Sequence, residues 1–161
     1  MIEKSYLEKL EEHKGIIYKM VNLYADNDED RKDLYQEIIY QSWSAYPRFK
    51  GEAKFSTWLY KISLNVSLSF LSKQKKLTQI RDHDEFNSYF EPPELSERAD
   101  WLYRCIKQLS EIDRGIIMLH LDGFTNTEIS EMTGISRNST NVKLHRIKQQ
   151  LSTLLTGKQV K

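Results

Sequence analysis

Hydrophobic residues recur every three or four positions along most of the chain, which predicts a protein built from α-helices. In the N-terminal part, this spacing predicts helices over residues 5–24, from the acidic patch at 26–30 to about Tyr46, and over 55–75. Pro47 ends the second helix. The positions assigned to the inner faces are Leu7, Leu10, Ile17, Val21, Tyr24, Leu34, Ile38, Gln41, Ala45, Leu59, Ile62, Val66 and Phe70. No stretch combines alternating hydrophobicity with hairpin turns, so the fold class is all-α.

Helical spacing returns near Glu94 and predicts helices over 111–121, over 126–133 and after Ser136. Ser110 is placed to cap the helix 111–121, whose inner face is Ile112, Ile116, Ile117 and Leu119. The segment between the two helical parts has no sustained period and contains two consecutive prolines, which predicts a tether. Its aromatic residues indicate that it docks on a surface: Phe86, Tyr89 and Phe90. We therefore predict two small helical domains, 1–76 and 101–161, joined by a linker, 77–100.

The 161-residue chain has a net charge of only +1, but the charge is unevenly distributed. Residues 48–81 carry eight basic residues and one acidic residue. Residues 82–100 carry one basic residue and seven acidic residues, and residues 101–161 carry nine basic and five acidic residues. Two basic blocks around an acidic one predict two polyanion-binding surfaces. The alternative is a set of solvated helix faces that bind no partner.

Several classes of protein are disfavoured by composition. No apolar run is long enough to span a bilayer, and the N-terminus lacks a signal peptide's apolar core, so we expect a cytoplasmic protein without membrane insertion. The one cysteine and four histidines never occur at metal-ligand spacing, so no metal site and no cofactor are expected. No paired carboxylates near a histidine and no glycine-rich phosphate loop occur, which disfavours an enzyme.

A short helix, a glycine turn and a second helix are predicted between residues 125 and 151. Thr125 and Glu128 have the spacing of a capping box, Gly134 suits a left-handed turn, and Ser136 can cap the second helix. The second helix has an apolar inner face at Thr140, Leu144, Ile147 and Leu151. Its other faces carry Arg137, Asn138, Asn141, Lys143, His145, Arg146 and Lys148. The pattern is typical of a DNA-binding helix-turn-helix, although a plain helical hairpin would share it.

Aromatic and basic residues alternate between positions 48 and 61 and predict a second nucleic-acid surface. The aromatic ones are Phe49, Phe55, Trp58 and Tyr60, and the basic ones are Arg48, Lys50, Lys54 and Lys61. Aromatic faces stack on unpaired bases while lysines follow the phosphates. Asn65 offers both a donor and an acceptor to a base edge. The alternative places the aromatic residues in the core. For Phe55 and Tyr60 both interpretations stay open, whereas for Trp58 we favour the single-strand interpretation.

Residues 33–43 and 45–62, with Asn65, resemble the promoter-melting domain of bacterial sigma factors of the extracytoplasmic-function (ECF) group. The most specific string is FKGEAKFSTWL at 49–59. Residues 128–147 are similar to the helix-turn-helix domain at the C-terminus of these proteins. The resemblance covers nearly the whole chain, with both domains in the expected order.

The resemblance implies a sigma factor, a dissociable subunit that gives bacterial core RNA polymerase its promoter specificity. It implies docking on the polymerase clamp through Asp33, Gln36, Glu37 and Gln41. It implies binding of the −10 non-template strand by Arg48, Phe49, Lys50, Lys54, Trp58, Lys61 and Asn65, with a flipped base held by the loop 49–54 and Asn65. It implies binding of the −35 duplex by Ser136, Arg137, Asn138, Ser139, Asn141, Lys143, Arg146 and Lys148.

The same resemblance implies that the acidic linker threads the path of product RNA through the polymerase. It also makes an anti-sigma factor a further candidate partner. One alternative is a regulator that binds duplex DNA alone through its helix-turn-helix. Such a protein would need neither the surface from Trp58 to Asn65 nor a docking helix.

Overall fold

The computed structural model describes residues 2–76 and 90–157, and the regular structure in this part of the chain is helical throughout. The chain divides into two compact units, Met1–Pro93 and Glu94–Lys161. The all-α fold class is confirmed.

The first unit contains three long helices, α1 (Ile2–Tyr24), α2 (Asp28–Ala45) and α3 (Phe55–Lys76), with a 3-10 turn at Tyr46–Arg48. The Asn27 side chain begins α2 by accepting a hydrogen bond from the Asp30 N–H at 2.8 Å. The acidic residues of the first turn complement the positive end of the helix dipole. Helix α3 packs on both α1 and α2, so the unit is a three-helix bundle with its core between them.

The inner faces of α1 and α2 differ from the sequence prediction at three positions, one of which is the half-exposed Ala45. Leu7 is 54% exposed, and Tyr6 takes the buried position beside it. The Tyr6 Oη lies 2.6 Å from the Ser42 Oγ and donates to the Ile39 carbonyl oxygen at 3.2 Å. Gln41 is exposed, and Ser42, one residue further on, is buried. Because the buried hydroxyls are hydrogen-bonded to each other, their burial costs little free energy.

The inner face of α3 is rotated relative to the predicted stripe. Leu59 and Phe70 are buried as predicted, but Ile62 and Val66 are half-exposed. Ser63 and Ser67, which directly follow these two residues in the sequence, are completely buried. Small side chains let α1 and α2 approach α3 closely, an effect that a hydrophobicity pattern does not register.

The predicted docking of the linker aromatics holds for Phe90. Its ring lies 5.8 Å from the ring of Tyr18 on α1 and 5.3 Å from that of Tyr35 on α2. The Glu91 N–H also donates to the Tyr18 Oη at 2.9 Å. The part of the predicted linker at residues 90–91 is therefore attached to the first unit. Phe86, Tyr89 and the rest of the predicted linker up to position 89 lie outside the described residues.

The second unit contains α4 (Glu97–Ile106), α5 (Glu111–Leu121), α6 (Asn126–Thr133) and α7 (Arg137–Gly157). The bounds of α5 and α6 match the prediction. Ser110 stands at the N-cap of α5, but its side chain makes no capping hydrogen bond. Ile112 is half-exposed, whereas Ile116, Ile117 and Leu119 are buried as predicted. Helix α7 packs on α4, α5 and α6 and forms the centre of this unit.

Candidate nucleic-acid interface

Helices α6 and α7 form a helix-turn-helix whose ends are fixed by local hydrogen bonds. The Thr125 hydroxyl accepts from the Glu128 N–H at 3.1 Å, and the Glu128 carboxylate accepts from the Thr125 N–H at 2.9 Å. Gly134 ends α6 with φ +77°, a left-handed conformation that favours glycine. The Ser136 hydroxyl then accepts from the Ser139 N–H at 3.1 Å and caps α7. The predicted capping box, turn and second cap are confirmed.

The two faces of α7 are separated as the sequence predicts. Its inner face is buried at Thr140, Leu144, Ile147 and Leu151. The Thr140 hydroxyl donates to the Ser136 carbonyl oxygen at 2.9 Å, which satisfies the polar atom of this face. The predicted DNA-contact residues that are exposed are Ser136, Arg137, Asn138, Ser139, Asn141, Arg146 and Lys148, and Lys143 is half-exposed. The outer face of α7 thus presents amide and cationic groups to solvent.

One exposed residue on this outer face was missed by the sequence reasoning. Val142 is 68% exposed and follows Asn141 directly. A branched apolar side chain in that position is suited to contact the C5-methyl group of thymine in a major groove. The available signal was an isolated valine among polar neighbours.

Arg146 differs from the other cations of α7 because its guanidinium has an acidic partner. Its Nη2 donates to the Asp113 Oδ2 at 3.1 Å. The Asp113 side chain is 7% exposed and that of Arg146 is 53% exposed. Asp113 Oδ1 is buried and has no hydrogen-bond partner in the described part of the chain. The pair therefore links α5 to α7 and holds one edge of the guanidinium against the unit's own surface.

His120, at the end of α5, adds no fixed charge to this side of the unit. Its pKa is lowered, mainly because burial disfavours the charged imidazolium and then because of the nearby Lys148 ammonium. A neutral imidazole leaves Lys148 as the cation of this pair near neutral pH. Lys148 is exposed, and so it can approach a phosphate.

In the first unit, four aromatic rings form a cluster at the start of α3, which we call the aromatic cluster: Tyr46, Phe49, Phe55 and Trp58. Trp58 lies 5.0 Å from Phe49, 5.4 Å from Phe55 and 6.0 Å from Tyr46, measured between ring centroids. Phe55 is buried, whereas the other three rings are half-exposed. Tyr60 is also buried, so Phe55 and Tyr60 belong to the core, as one of the two sequence interpretations held. Trp58 therefore packs against the other three rings and still leaves part of its own ring accessible to solvent.

Basic residues next to the aromatic cluster in the sequence are open to solvent. Arg48, Lys50, Lys54 and Lys61 are exposed. Lys9 of α1, which the sequence reasoning missed, places its Nζ 5.5 Å from the centroid of Phe49. No local pattern could identify it, because the contact joins residues forty positions apart. Aromatic faces and nearby cations together are the features of a single-strand binding surface.

Asn65 lies in a different environment from the aromatic cluster. It is exposed and lines an open cavity of about 230 Å³ between α2 and α3, together with Glu37, Gln41, Phe70 and Lys73. The Gln41 Nε2 donates to the Glu37 Oε2 at 2.8 Å. The structure therefore brings two residues predicted for polymerase docking into the same cavity as the residue predicted for base capture.

The four residues predicted for polymerase docking all lie on the solvent-accessible side of α2, which we call its outer face. Asp33, Gln36 and Glu37 are half-exposed and Gln41 is exposed. Tyr40, between them in the sequence, is 51% exposed and was missed. Tyrosine is among the residues that most often supply binding energy at protein interfaces, so this face has an aromatic centre with a polar rim.

Residues 2–76 and 90–157 contain neither a metal-binding cluster nor a membrane-spanning helix. In those ranges, no group of three or more histidine, cysteine or acidic side chains is arranged to hold a metal ion. No helix of the described part is both long and apolar enough to cross a membrane.

Two family profiles match the chain. Sigma-70 region 2 matches residues 10–77, and sigma-70 region 4 matches residues 99–151. The RNA polymerase sigma factor SigV of Bacillus subtilis (strain 168) is 28% identical over 151 residues, covering 90% of this chain and 87% of the relative. The ECF RNA polymerase sigma-E factor of Escherichia coli (strain K12) is 24% identical over 150 residues, covering 84% and 78%.

Two solved structures share the fold. The sigma factor RpoE from Bartonella quintana, in a complex with the anti-sigma factor NepR, aligns with a TM-score of 0.72 at 16% identity, covering 95% of this chain and 98% of that chain. CnrH, in a complex with the cytosolic domain of CnrY, aligns with a TM-score of 0.66 at 17% identity, covering 96% and 90%.

Proposed function

The chain belongs to the sigma-70 family, in its extracytoplasmic-function group, and from this premise we propose that it directs promoter-specific transcription initiation by bacterial core RNA polymerase. The observation that carries the proposal is the presence of regions 2 and 4 in one chain, in that order, at 10–77 and 99–151. A regulator that binds duplex DNA alone has no use for the first of these regions. That alternative is therefore not favoured.

In this proposal, the outer face of α7 recognises the −35 duplex. Arg137, Asn138 and Asn141 lie in the first turns of α7, where a recognition helix approaches the base edges of the major groove. Arginine and asparagine suit such contacts because each pairs its hydrogen-bonding groups with a base edge. Ser136, Ser139, Lys143 and Lys148 act through the DNA backbone, which supplies affinity on every sequence. Val142 contacts a thymine methyl group.

Arg146 was expected to contact a phosphate, and the ion pair with Asp113 changes its role in our proposal. Its guanidinium is held by a carboxylate on the adjacent helix. A cation that already has a buried acidic partner gains less from a phosphate than an exposed lysine does. We therefore assign Arg146 to the stability of the α5–α7 contact.

The first unit binds the −10 non-template strand at two places on one helix. The aromatic cluster, which includes Phe49, offers the half-exposed ring of Trp58 for stacking, and the exposed side chains of Arg48, Lys50, Lys54 and Lys61 bind the phosphates of the strand. Asn65 is seven residues further along α3, which corresponds to about 10 Å of helix. The two side chains therefore contact different nucleotides, Trp58 by stacking and Asn65 by hydrogen bonds to a flipped base.

The outer face of α2 docks on core RNA polymerase through Asp33, Gln36, Glu37 and Gln41, with Tyr40 at its centre. Glu37 and Gln41 line the same cavity as Asn65, which supports a docking face whose edge adjoins the base-capture residue. One of the two solved structures is a complex with an anti-sigma factor, which supports a protein inhibitor of that class as a further partner of this chain.

The test is run-off transcription with core polymerase on a library of randomised promoters, analysed by sequencing the transcripts. We expect transcripts to start downstream of a shared pair of −35 and −10 sequences when both components are present. Transcripts that are the same with and without the protein would refute the proposal. Tight, sequence-specific binding of duplex DNA by the protein alone, unchanged by polymerase, would support the stand-alone regulator instead.

A further inference from the structure

Asn141, on the outer face of α7, has a side-chain partner on the preceding helix. The Asn126 Nδ2 donates to the Asn141 Oδ1 at 2.7 Å, between residues fifteen positions apart in the sequence. Asn126 is the first residue of α6 and lies within the capping box, which runs from Thr125 to Glu128 and fixes the start of this helix. The backbone position of Asn126 is therefore fixed by the capped first turn of α6.

The hydrogen bond gives the Asn141 amide a direction. A primary amide has an acceptor oxygen at one end and an NH₂ group with two donors at the other. Because Oδ1 is turned toward α6, the NH₂ group is turned away from α6. Asn141 is exposed, so these donors are available to a ligand on the outer face of α7.

We propose that Asn126 is a specificity-positioning residue, which orients Asn141 so that its NH₂ group selects a base with a keto oxygen in the −35 element. This inference rests on the proposed function and deepens it. In the major groove, guanine O6 and thymine O4 are acceptors, whereas adenine N6 and cytosine N4 are donors. To make two hydrogen bonds with adenine, Asn141 must accept one of them with its Oδ1. Asn126 already donates to that oxygen and keeps it turned toward α6, so this contact with adenine does not form.

The proposal predicts that the preference can be reversed without changing Asn141. In the variant Asn126→Asp, the new carboxylate can only accept, so Asn141 turns its NH₂ group toward α6 and its oxygen toward the DNA. The selected base then changes from a keto base to an amino base, adenine or cytosine. In Asn126→Ala, the amide has no fixed direction, and the preference at that base is lost.

A matched control separates orientation from charge. Thr127 is the next residue of α6 and is exposed. Thr127→Asp adds the same negative charge near the DNA without a partner role at Asn141. Repulsion of phosphates lowers promoter use on every sequence, in this control and in Asn126→Asp alike.

The experiment is the promoter-library transcription assay with full-length variants and core polymerase. At one −35 position, we expect a keto preference of about fivefold for the original protein, the discrimination of one neutral hydrogen bond. We expect the inverse preference for Asn126→Asp, no preference for Asn126→Ala, and the original preference for Thr127→Asp.

The inference is overturned if the base profile of Asn126→Asp equals that of Thr127→Asp at every position. It is also overturned if Asn126→Ala keeps the original preference. If the original protein selects no −35 sequence at all, the proposed function fails and this inference fails with it. The two failures are therefore distinguishable in a single data set.

Discussion

Replacing Arg146 by glutamine tests whether this cation stabilises the second unit or binds a phosphate. The variant removes the charge while keeping a long polar side chain. In the structure, Arg146 Nη2 lies 3.1 Å from Asp113 Oδ2, and the other carboxylate oxygen is already buried without a partner in the described residues. Arg146→Gln therefore leaves a buried carboxylate without its cation. We expect a loss of stability and no loss of a phosphate contact.

The magnitude follows from the geometry of the pair. A hydrogen bond to a charged group contributes about 1.5–3 kcal/mol. The Arg146 side chain is 53% exposed, and solvent screening lowers this value. We expect the free energy of unfolding to fall by about 1–2 kcal/mol, and each kcal/mol lowers the Tm of a domain of this size by about 4–8 °C. Calorimetry of the full-length chain measures the shift.

The phosphate role is measured through salt dependence, with Lys148→Gln as the matched control. Loss of one phosphate contact changes the slope of log K against log salt by about 0.9. Between 50 and 200 mM salt, the ratio of variant to original Kd should then fall about 3.5-fold for Lys148→Gln, because the lost contact matters less at high salt. For Arg146→Gln we expect the same ratio at both salt concentrations. Kd is measured for the holoenzyme on one promoter.

Two results would refute this reasoning. One is an unchanged Tm for Arg146→Gln, which would mean that Asp113 does not need its partner. The other is a salt-dependent Kd ratio equal to that of Lys148→Gln, which would return Arg146 to the phosphate-binding set.

The other predictions concern promoter opening and stability. Trp58→Ala and Asn65→Ala should both reduce promoter opening, measured by permanganate reactivity. A pre-melted template should rescue Trp58→Ala more than Asn65→Ala, because only Asn65 is assigned the recognition of base identity. Equal rescue of the two variants would contradict this division. Trp58→Ala should also lower stability by about 1.5–4 kcal/mol through three lost ring contacts, measured by chemical denaturation, with an unchanged midpoint as the contrary result. Gly134→Ala should cost about 1–2 kcal/mol because its backbone is left-handed, although the space around it is open. Tyr6→Phe should cost about 1 kcal/mol by removing the hydroxyl from Ser42, and a stabilised variant would argue against that contact.

Elements with local signals were predictable from the sequence alone. The bounds of α6 depend on Thr125, Glu128 and Gly134, which lie within ten residues of one another and act through backbone geometry. The separation of the two faces of α7 follows from helical spacing in the same way. In these segments each residue type suits the backbone position that it occupies. The helix bounds and the two faces can therefore be predicted without knowing any contact with distant residues.

Features that depend on distant contacts were not predictable. The inner face of α3 includes Ser63 and Ser67, which are buried because α3 packs on both α1 and α2 and not because their side chains are apolar. The partner of Arg146 is thirty-three residues away, and that of Asn141 is fifteen residues away. A sequence pattern identifies the cation and the amide, but their directions are set by the tertiary fold. The candidate site was therefore predicted as a set of residues and not as a set of oriented groups.

The most direct test of the sigma-factor account is permanganate reactivity of non-template thymines across the −10 element of a selected promoter. The measurement compares core polymerase alone, the protein alone, and the two together. The account predicts reactive thymines only when both are present, and a loss of reactivity when Asn65 is replaced by alanine. Reactive thymines with core polymerase alone, or a fully closed duplex with both components on a promoter they transcribe, would contradict it.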